Sequence, residues 1–322
     1  MINKILITGG AGFIGAYLSN RLSELKQIVH VVDNQYRGDY SRLNSDIKIF
    51  NVDLTIPEEL NKLPKDYDWI FHLAAINGTD NFYKIHSQVF EVGVKSILNI
   101  YDYFKNTGSS IIVASSAEVY QTPSIVPTNE EIPLIVPDVK NPRYSYGGSK
   151  IFSELLLMNY GIGYFKKSII FRPHNIYGPN MGYKHVIPQL IEKVKDTSVK
   201  NINHIELIGD GLETRAFCYI DDLVDGLLIL MDKGLDREIY HIGNDHEINI
   251  RELAKKIVNE INSEIKIRKG KFSHKGGTKR RCPDISKIKK LGYLPKTSID
   301  DGIKLSTEWY LNNQNNSTNK LL

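Results

Sequence analysis

The sequence predicts an α/β protein: a doubly wound parallel sheet with a smaller α/β region toward the C-terminus. Three observations predict it. Short Ile- and Val-rich runs alternate with longer stretches of helical spacing. Those runs are continuously apolar rather than alternating, as when both faces of a sheet are covered. The first run leads directly into a glycine-rich turn that opens an amphipathic stretch.

The elements follow in order. Ile5-Leu6-Ile7, within Lys4 to Thr8, reads as the first strand. Phe13, Ile14, Tyr17, Leu18, Leu22 and Leu25 then share one helical face. Ile28 to Val32, Ile47 to Val52 and Trp69 to Leu73 read as the second, third and fourth strands. Val92 to Phe104 has helical period. Ile111 to Val113 and Ser168 to Phe171 are the fifth and sixth strands, joined by right-handed crossovers.

Past Pro173 the rhythm changes, with Gly178-Pro179 and Gly209-Asp210-Gly211 as breakers. A helix begins near Asp221, whose charge suits a helix N-terminus. Glu238 to Ile242 reads as one more strand of the main sheet. Asn249 is placed to cap the next helix, and the last helix runs from Ser298 to Leu311. One domain therefore spans 1–177, with 236–246 returning to its sheet. A smaller one comprises 178–235 and 247–311. The Asn-rich tail, 312–322, is expected to be disordered.

Composition excludes several classes. The chain has 322 residues, 41% hydrophobic and 24% charged, enough for a sizeable core. No apolar run approaches a membrane span. The only cysteines, Cys218 and Cys282, match no metal motif, so no metal is expected and a reducing cytoplasm is the default setting. A net charge of +4 is no nucleic-acid signature, although Lys266 to Lys290 holds eleven basic residues and one acid, Asp284. That segment lacks a recognition motif, and no nucleic-acid partner is expected.

Two motifs carry chemistry. Thr8-Gly9-Gly10-Ala11-Gly12-Phe13-Ile14-Gly15 joins a strand to a helix, the setting of a dinucleotide-binding Rossmann turn. Asp33 ends the second strand, where an acid accepts from ribose hydroxyls and repels a 2′-phosphate, favouring NAD. Tyr146-Gly147-Gly148-Ser149-Lys150 places a phenol and an ammonium one helical turn apart. The ammonium, together with a bound nicotinamide cation, is expected to lower the phenol's pKa, making Tyr146 a base for a sugar hydroxyl. Ser116, at the carboxyl end of the fifth strand, is placed to bond the reacting oxygen.

With these motifs, Phe71-His72-Leu73-Ala74-Ala75, Val119-Tyr120, Arg172 to Pro179, Arg215 to Asp222 and Arg281 to Lys287 complete a pattern. The chain resembles the extended short-chain dehydrogenase/reductases, specifically the nucleotide-sugar epimerase/dehydratase family. The likeness runs from Lys4 to about Tyr310. It implies that Gly9, Gly12, Phe13, Ile14 and Gly15 face the NAD pyrophosphate. Asp33 and Asn34 hold the ribose, and Asp53 and Leu54 border the adenine. Leu73, Ala74, Ala75 and Pro173 line the nicotinamide side, with Tyr146 and Lys150. Ser116, Tyr146 and Lys150 match the catalytic triad. Asn175, Arg215 and Arg281 match residues that hold the sugar-nucleotide, and Arg suits a diphosphate. The resemblance also implies a homodimer, with Leu155, Leu156, Met158, Tyr101 and Phe104 as a seam or as core.

Departures bear on the reaction. Where the family carries Asn in Asn-Val-x-Gly-Thr, this chain has Gly93. Ala117 stands where dehydratases place an acid, and Glu118 is unusual for a 4-epimerase. The first reading is an NDP-hexose 4-epimerase, which needs only the triad. The alternative is a 4,6-dehydratase, decarboxylase or net 4-dehydrogenase, with Glu118 as a further catalytic residue. A non-catalytic dinucleotide sensor on this fold would not need both Tyr146 and Lys150. His174, His185 and Cys218 read as structural.

Overall fold

The computed structural model describes residues 2–160, 162–270 and 278–313. The N-terminal part runs β1 (Lys4–Thr8), α1 (Phe13–Glu24), β2 (Ile28–Val32), β3 (Lys48–Phe50), β4 (Trp69–His72), α2 (Thr79–Lys84), α3 (His86–Phe104), β5 (Ser110–Ala114), α4 (Ser145–Asn159) and β6 (Ser168–Pro173). There follow β7 (Ile176–Tyr177), α5 (Val186–Val199), β8 (His204–Glu206), β9 (Thr214–Ala216), β10 (Cys218–Tyr219), α6 (Ile220–Lys233) and β11 (Glu238–Ile242). The chain then forms β12 (Glu247–Asn249), α7 (Ile250–Ile261), β13 (Lys266–Arg268), β14 (Arg280–Arg281), α8 (Ser286–Lys289) and α9 (Ile299–Asn312).

Seven strands make one parallel sheet in the order β11-β6-β5-β4-β1-β2-β3. Alternate residues serve opposite faces. Ile5 and Ile7 join Phe71, Ile112 and Phe171 in one apolar cluster. Leu6 joins Ile70, Ile111, Val113 and Ile170 in another. Both faces are covered, which is why the strands read as unbroken apolar runs.

Several bounds differ from the sequence reading. The third strand stops at Phe50 because Asp53 draws the chain into a turn, its carboxylate accepting from Thr55 N at 2.9 Å and Thr55 Oγ1 at 2.7 Å. Helix α3 starts at His86 rather than Val92. Among its first residues Val89 packs inward, onto Phe82 and Ile76, so the apolar period is too thin to see. The last helix continues to Asn312, so Asn312 is not part of a disordered tail; residues 314–322 lie outside those described. Asn249 caps α7 as expected, its Oδ1 accepting from Glu252 N at 2.8 Å. Ser298, read as the first residue of the last helix, instead caps it, its Oγ accepting from Asp301 N at 3.1 Å.

Tyr101, Phe104 and Leu156 are buried in the core and cannot form a seam, whereas Leu155 on α4 and Phe90 on α3 remain exposed. Several cations of the described part of the basic segment meet acids from elsewhere in the chain. Arg280 meets Glu247, Lys287 meets Glu238 and Lys289 meets Asp245, each at 2.6 Å. No described helix is long and apolar enough to cross a membrane.

Gly93 has a steric role. A Cβ there would stand 2.5 Å from Ser149 Oγ and 2.7 Å from Ser149 Cβ. Glycine thus lets α3 approach α4, which carries Tyr146 and Lys150. Gly93→Asn is expected to cost about 1–3 kcal/mol through overpacking, read as a lowered thermal midpoint; an unchanged midpoint contradicts it.

Candidate active site

The carboxyl ends of β1, β2, β4, β5 and β6 open into a cleft of about 590 Å³, where ligands bind in open α/β sheets. Its floor is the turn before α1. Gly9 sits at φ +66°, and a Cβ there would lie 2.8 Å from Ala74 Cα. A Cβ at Gly15 would lie 2.2 Å from Gly9 O. Gly12, Phe13 and Ile14 border the cleft at the start of α1. The side chain of Asp33 accepts from Ala11 N at 3.1 Å and Gln35 N at 2.8 Å, and burial raises its pKa. Asn34 donates to Asp53 at 3.3 Å, closing the adenine end beside Leu54. Leu73, Ala74, Ala75 and Pro173 line the other end.

These residues fit a dinucleotide. Gly12, the N-cap of α1, borders the cleft without a side chain at a helix N-terminus, a site suited to phosphate. Arg42 borders the same cleft, and its buried Nε has no hydrogen-bond partner among the described residues. A diphosphate would satisfy both.

Tyr146 and Lys150 project from α4, whose approach is fixed by Asn141 accepting from Arg143 N at 3.0 Å. Tyr146 is buried and stacks on Phe82, with centroids 5.0 Å apart and planes 12° apart. Burial pushes its phenol up to about 12; Ser116 and Arg37 pull downward and Glu118 upward. Lys150 donates to Ala114 O at 2.8 Å, and its Nζ lies 5.7 Å from the Tyr146 ring centroid. Burial lowers Lys150 to about 8, opposed by Glu154. The sequence expectation counts the ammonium together with a bound nicotinamide cation; among the described groups burial outweighs the downward pulls, and the phenol of the chain alone stands above its ordinary value.

Ser116 Oγ accepts from Glu118 N at 3.1 Å, fixing the turn that carries both. The preceding Ser115 bonds Glu154, itself paired with Arg172 at 2.6 Å in the interior. Glu118 Oε1 meets Arg281 Nη1 at 2.6 Å, and Oε2 lies 3.8 Å from Arg143. Burial opposes its ionisation, but Arg281, Arg143 and Arg215 together hold the carboxyl below its ordinary value.

Every site residue expected from the sequence borders the cleft except Arg215. Arg215 is paired opposite Arg281 in the β9–β14 register, and its guanidinium turns to Thr214 O at 2.7 Å. It acts on the site as a nearby charge. Asn175, at φ 44°, borders the cleft with its amide tied to Ala216 O at 3.1 Å. His185 also borders the cleft, lowered to about 4 by burial. Cys218 is buried, its thiol pushed up to about 12. His174 is buried with neither ring nitrogen bonded among the described residues. Arg37, Arg42, Arg143 and Phe82 were missed. Only Asn141-Pro142, a turn signal ahead of Arg143, hinted at any of them. Among the described residues no cluster of three His, Cys, Asp or Glu is arranged for a metal ion.

The model of the NAD dependent epimerase/dehydratase family matches residues 5–243. The chain belongs to this family. It is an NAD-dependent enzyme of the nucleotide-sugar epimerase, dehydratase and decarboxylase class. This family member is 30% identical to a UDP-N-acetyl-alpha-D-glucosaminuronate decarboxylase of Bacillus cytotoxicus, over 96% of this chain and 98% of that one. It is 33% identical to UDP-glucuronic acid decarboxylase 3 of Arabidopsis thaliana, over 95% and 88%. Among solved structures, a UDP-glucose 4-epimerase of Thermotoga maritima, with UDP-glucose, matches with a TM-score of 0.86 and 26% identity, covering 97% and 99%.

Proposed function

We propose that the enzyme decarboxylates a nucleotide-linked hexuronate. One observation carries the reading: the Glu118 carboxylate lies in the cleft among three guanidiniums, beside Ser116 and Tyr146. A 4-epimerase needs no carboxylate there. The surplus positive charge suits a second carboxylate, that of the sugar. Ala117 supplies no acid to expel a C6 hydroxyl, which disfavours a dehydratase. The two decarboxylases above are relatives over nearly the whole chain.

NAD, when bound, accepts hydride from the sugar's C4 and returns it. Tyr146, bonded to Ser116, first gives its phenol proton to solvent, a loss that the positive charge of bound NAD would favour; the phenolate then takes the proton of the C4 hydroxyl as C4 becomes a ketone. That ketone is β to the C6 carboxylate. Arg281 and Arg143, set in place by Glu118, receive the carboxylate. The C5–C6 bond breaks, its electron pair enters the C4–C5 enolate and carbon dioxide leaves. C5 then takes a proton from water, and the Tyr146 phenol returns its proton to O4 as C4 is reduced.

The test is product analysis by mass spectrometry and proton NMR, after incubation with NAD and a panel of UDP-, GDP-, CDP- and dTDP-hexoses and hexuronates. Loss of carbon dioxide from a hexuronate is expected. An isomer of unchanged mass would instead establish the 4-epimerase reading. Loss of water, or a 4-keto sugar accumulating with NADH, would also overturn the proposal.

A further inference from the structure

Residues 34–38 form a bar across the mouth of the dinucleotide cleft. Both ends of the bar are pinned to the end of β2. Asp33 is fixed by Ala11 N and Gln35 N, and Gln35, at φ +57°, turns the chain back. Gly38 passes directly over the Asp33 carboxylate, where a Cβ would stand 2.5 Å from its oxygen. Asp39 N then donates to Ala11 O at 3.0 Å, and the Tyr40 hydroxyl to Asp33 O at 2.6 Å.

Two side chains reach from this anchored loop to the opposite wall. Arg37 Nη1 donates to Asn77 O, just past β4, at 2.6 Å. The Tyr36 hydroxyl donates to Gln88 Oε1, on α3, at 3.3 Å. The receiving side is itself held, since Asn81 Nδ2 donates to the same Asn77 carbonyl at 2.9 Å. All four bridging residues border the cleft. The phenols of Tyr146 and Tyr36 and the guanidinium of Arg42 act on the Arg37 guanidinium, which acts in turn on His185. A partly desolvated cation bordering the same cleft as the glycine turn is complementary to an anion entering it.

We infer that Arg37 is a cofactor-retaining residue: its guanidinium, braced on Asn77, balances the diphosphate charge of NAD and bars the exit. The dinucleotide leaves only when the Arg37–Asn77 and Tyr36–Gln88 bridges open. The planar Arg fork holds a carbonyl and a phosphate in fixed directions, whereas a Lys ammonium is a compact point charge on a flexible stem. Retention suits a reaction in which C4 is oxidised and reduced again in one active site. The inference depends on the NAD site alone, not on which sugar is processed.

The test uses the full chain and needs no sugar. Wild type, Arg37→Ala, Arg37→Lys and Tyr36→Phe are loaded with NADH. Release is followed by the loss of bound-nucleotide fluorescence after excess NAD is added. The NAD carried through purification is measured in parallel. Arg37→Ala is expected to release NADH about tenfold or more faster, the loss of one charge-assisted contact, and to purify with less NAD. Arg37→Lys should fall between it and wild type. Tyr36→Phe, which removes one hydroxyl, should shift release in the same direction by less, and it keeps the test open should Arg37→Ala unfold. Wild-type release rates in Arg37→Ala overturn the inference, as does full restoration by Lys, because charge alone would then suffice.

Discussion

Tyr146→Phe is expected to lose turnover by about 10²–10⁴-fold, the usual contribution of a positioned acid–base group, while purifying with as much NAD as wild type. Phenylalanine keeps the ring that stacks on Phe82 at 5.0 Å, so the pocket stays filled and only the hydroxyl is lost. The chemistry needs that hydroxyl twice, first to accept the proton of the sugar's C4 hydroxyl and later to return it. Burial holds the phenol at about 12, so the free enzyme is a poor base. That value already includes the downward pulls of the Ser116 hydrogen bond and the Arg37 charge; the positive nicotinamide of bound NAD would add to them. Steady-state rates with the accepted sugar and NAD content by absorbance check both halves of the expectation. Near-normal turnover would remove Tyr146 from the reaction.

Glu118→Gln separates the candidate reactions. Under decarboxylation it is expected to lower carbon dioxide release about 10²-fold, while NADH still forms transiently, because C4 oxidation depends on Tyr146. The variant loses the anion that Arg281 meets at 2.6 Å and Arg143 faces at 3.8 Å. Breaking a fully buried pair costs about 3–5 kcal/mol. Here the two side chains keep 14% and 23% exposure, so water screens part of the loss and a smaller fall in stability is expected. Stopped-flow absorbance at the NADH band, with product analysis, reads both steps. Unimpaired formation of an isomer would restore the 4-epimerase reading.

The sheet was legible because both faces are buried, which leaves each strand an apolar signature independent of its partners. The glycine turn was legible because close backbone approach at Gly9 and Gly15 tolerates no side chain. Helix α2 and the first turns of α3 were hidden because few of their residues face inward. In the site, the residues drawn from strand ends and from α4 all border the cleft, since sheet topology alone brings them together. Arg37 was not legible, because it reaches a partner 40 residues away by the length of its side chain, and no period or spacing records that. Spacing counts neighbouring charges but not the burial that Phe82 and the cleft impose.

The pairing of β11 with β6 has a consequence for biosynthesis. Ile169, Ile170 and Phe171 of β6 are fully covered in the finished molecule, yet the strand that covers their edge is translated only after α5 and α6. A nascent chain therefore carries an unpaired apolar edge through that interval, a surface prone to wrong pairing. Everything between the two strands, Asn175 included, is enclosed by neighbours in one sheet. That segment begins and ends on strands of one sheet, so its folding is tied to the pairing of β11 with β6.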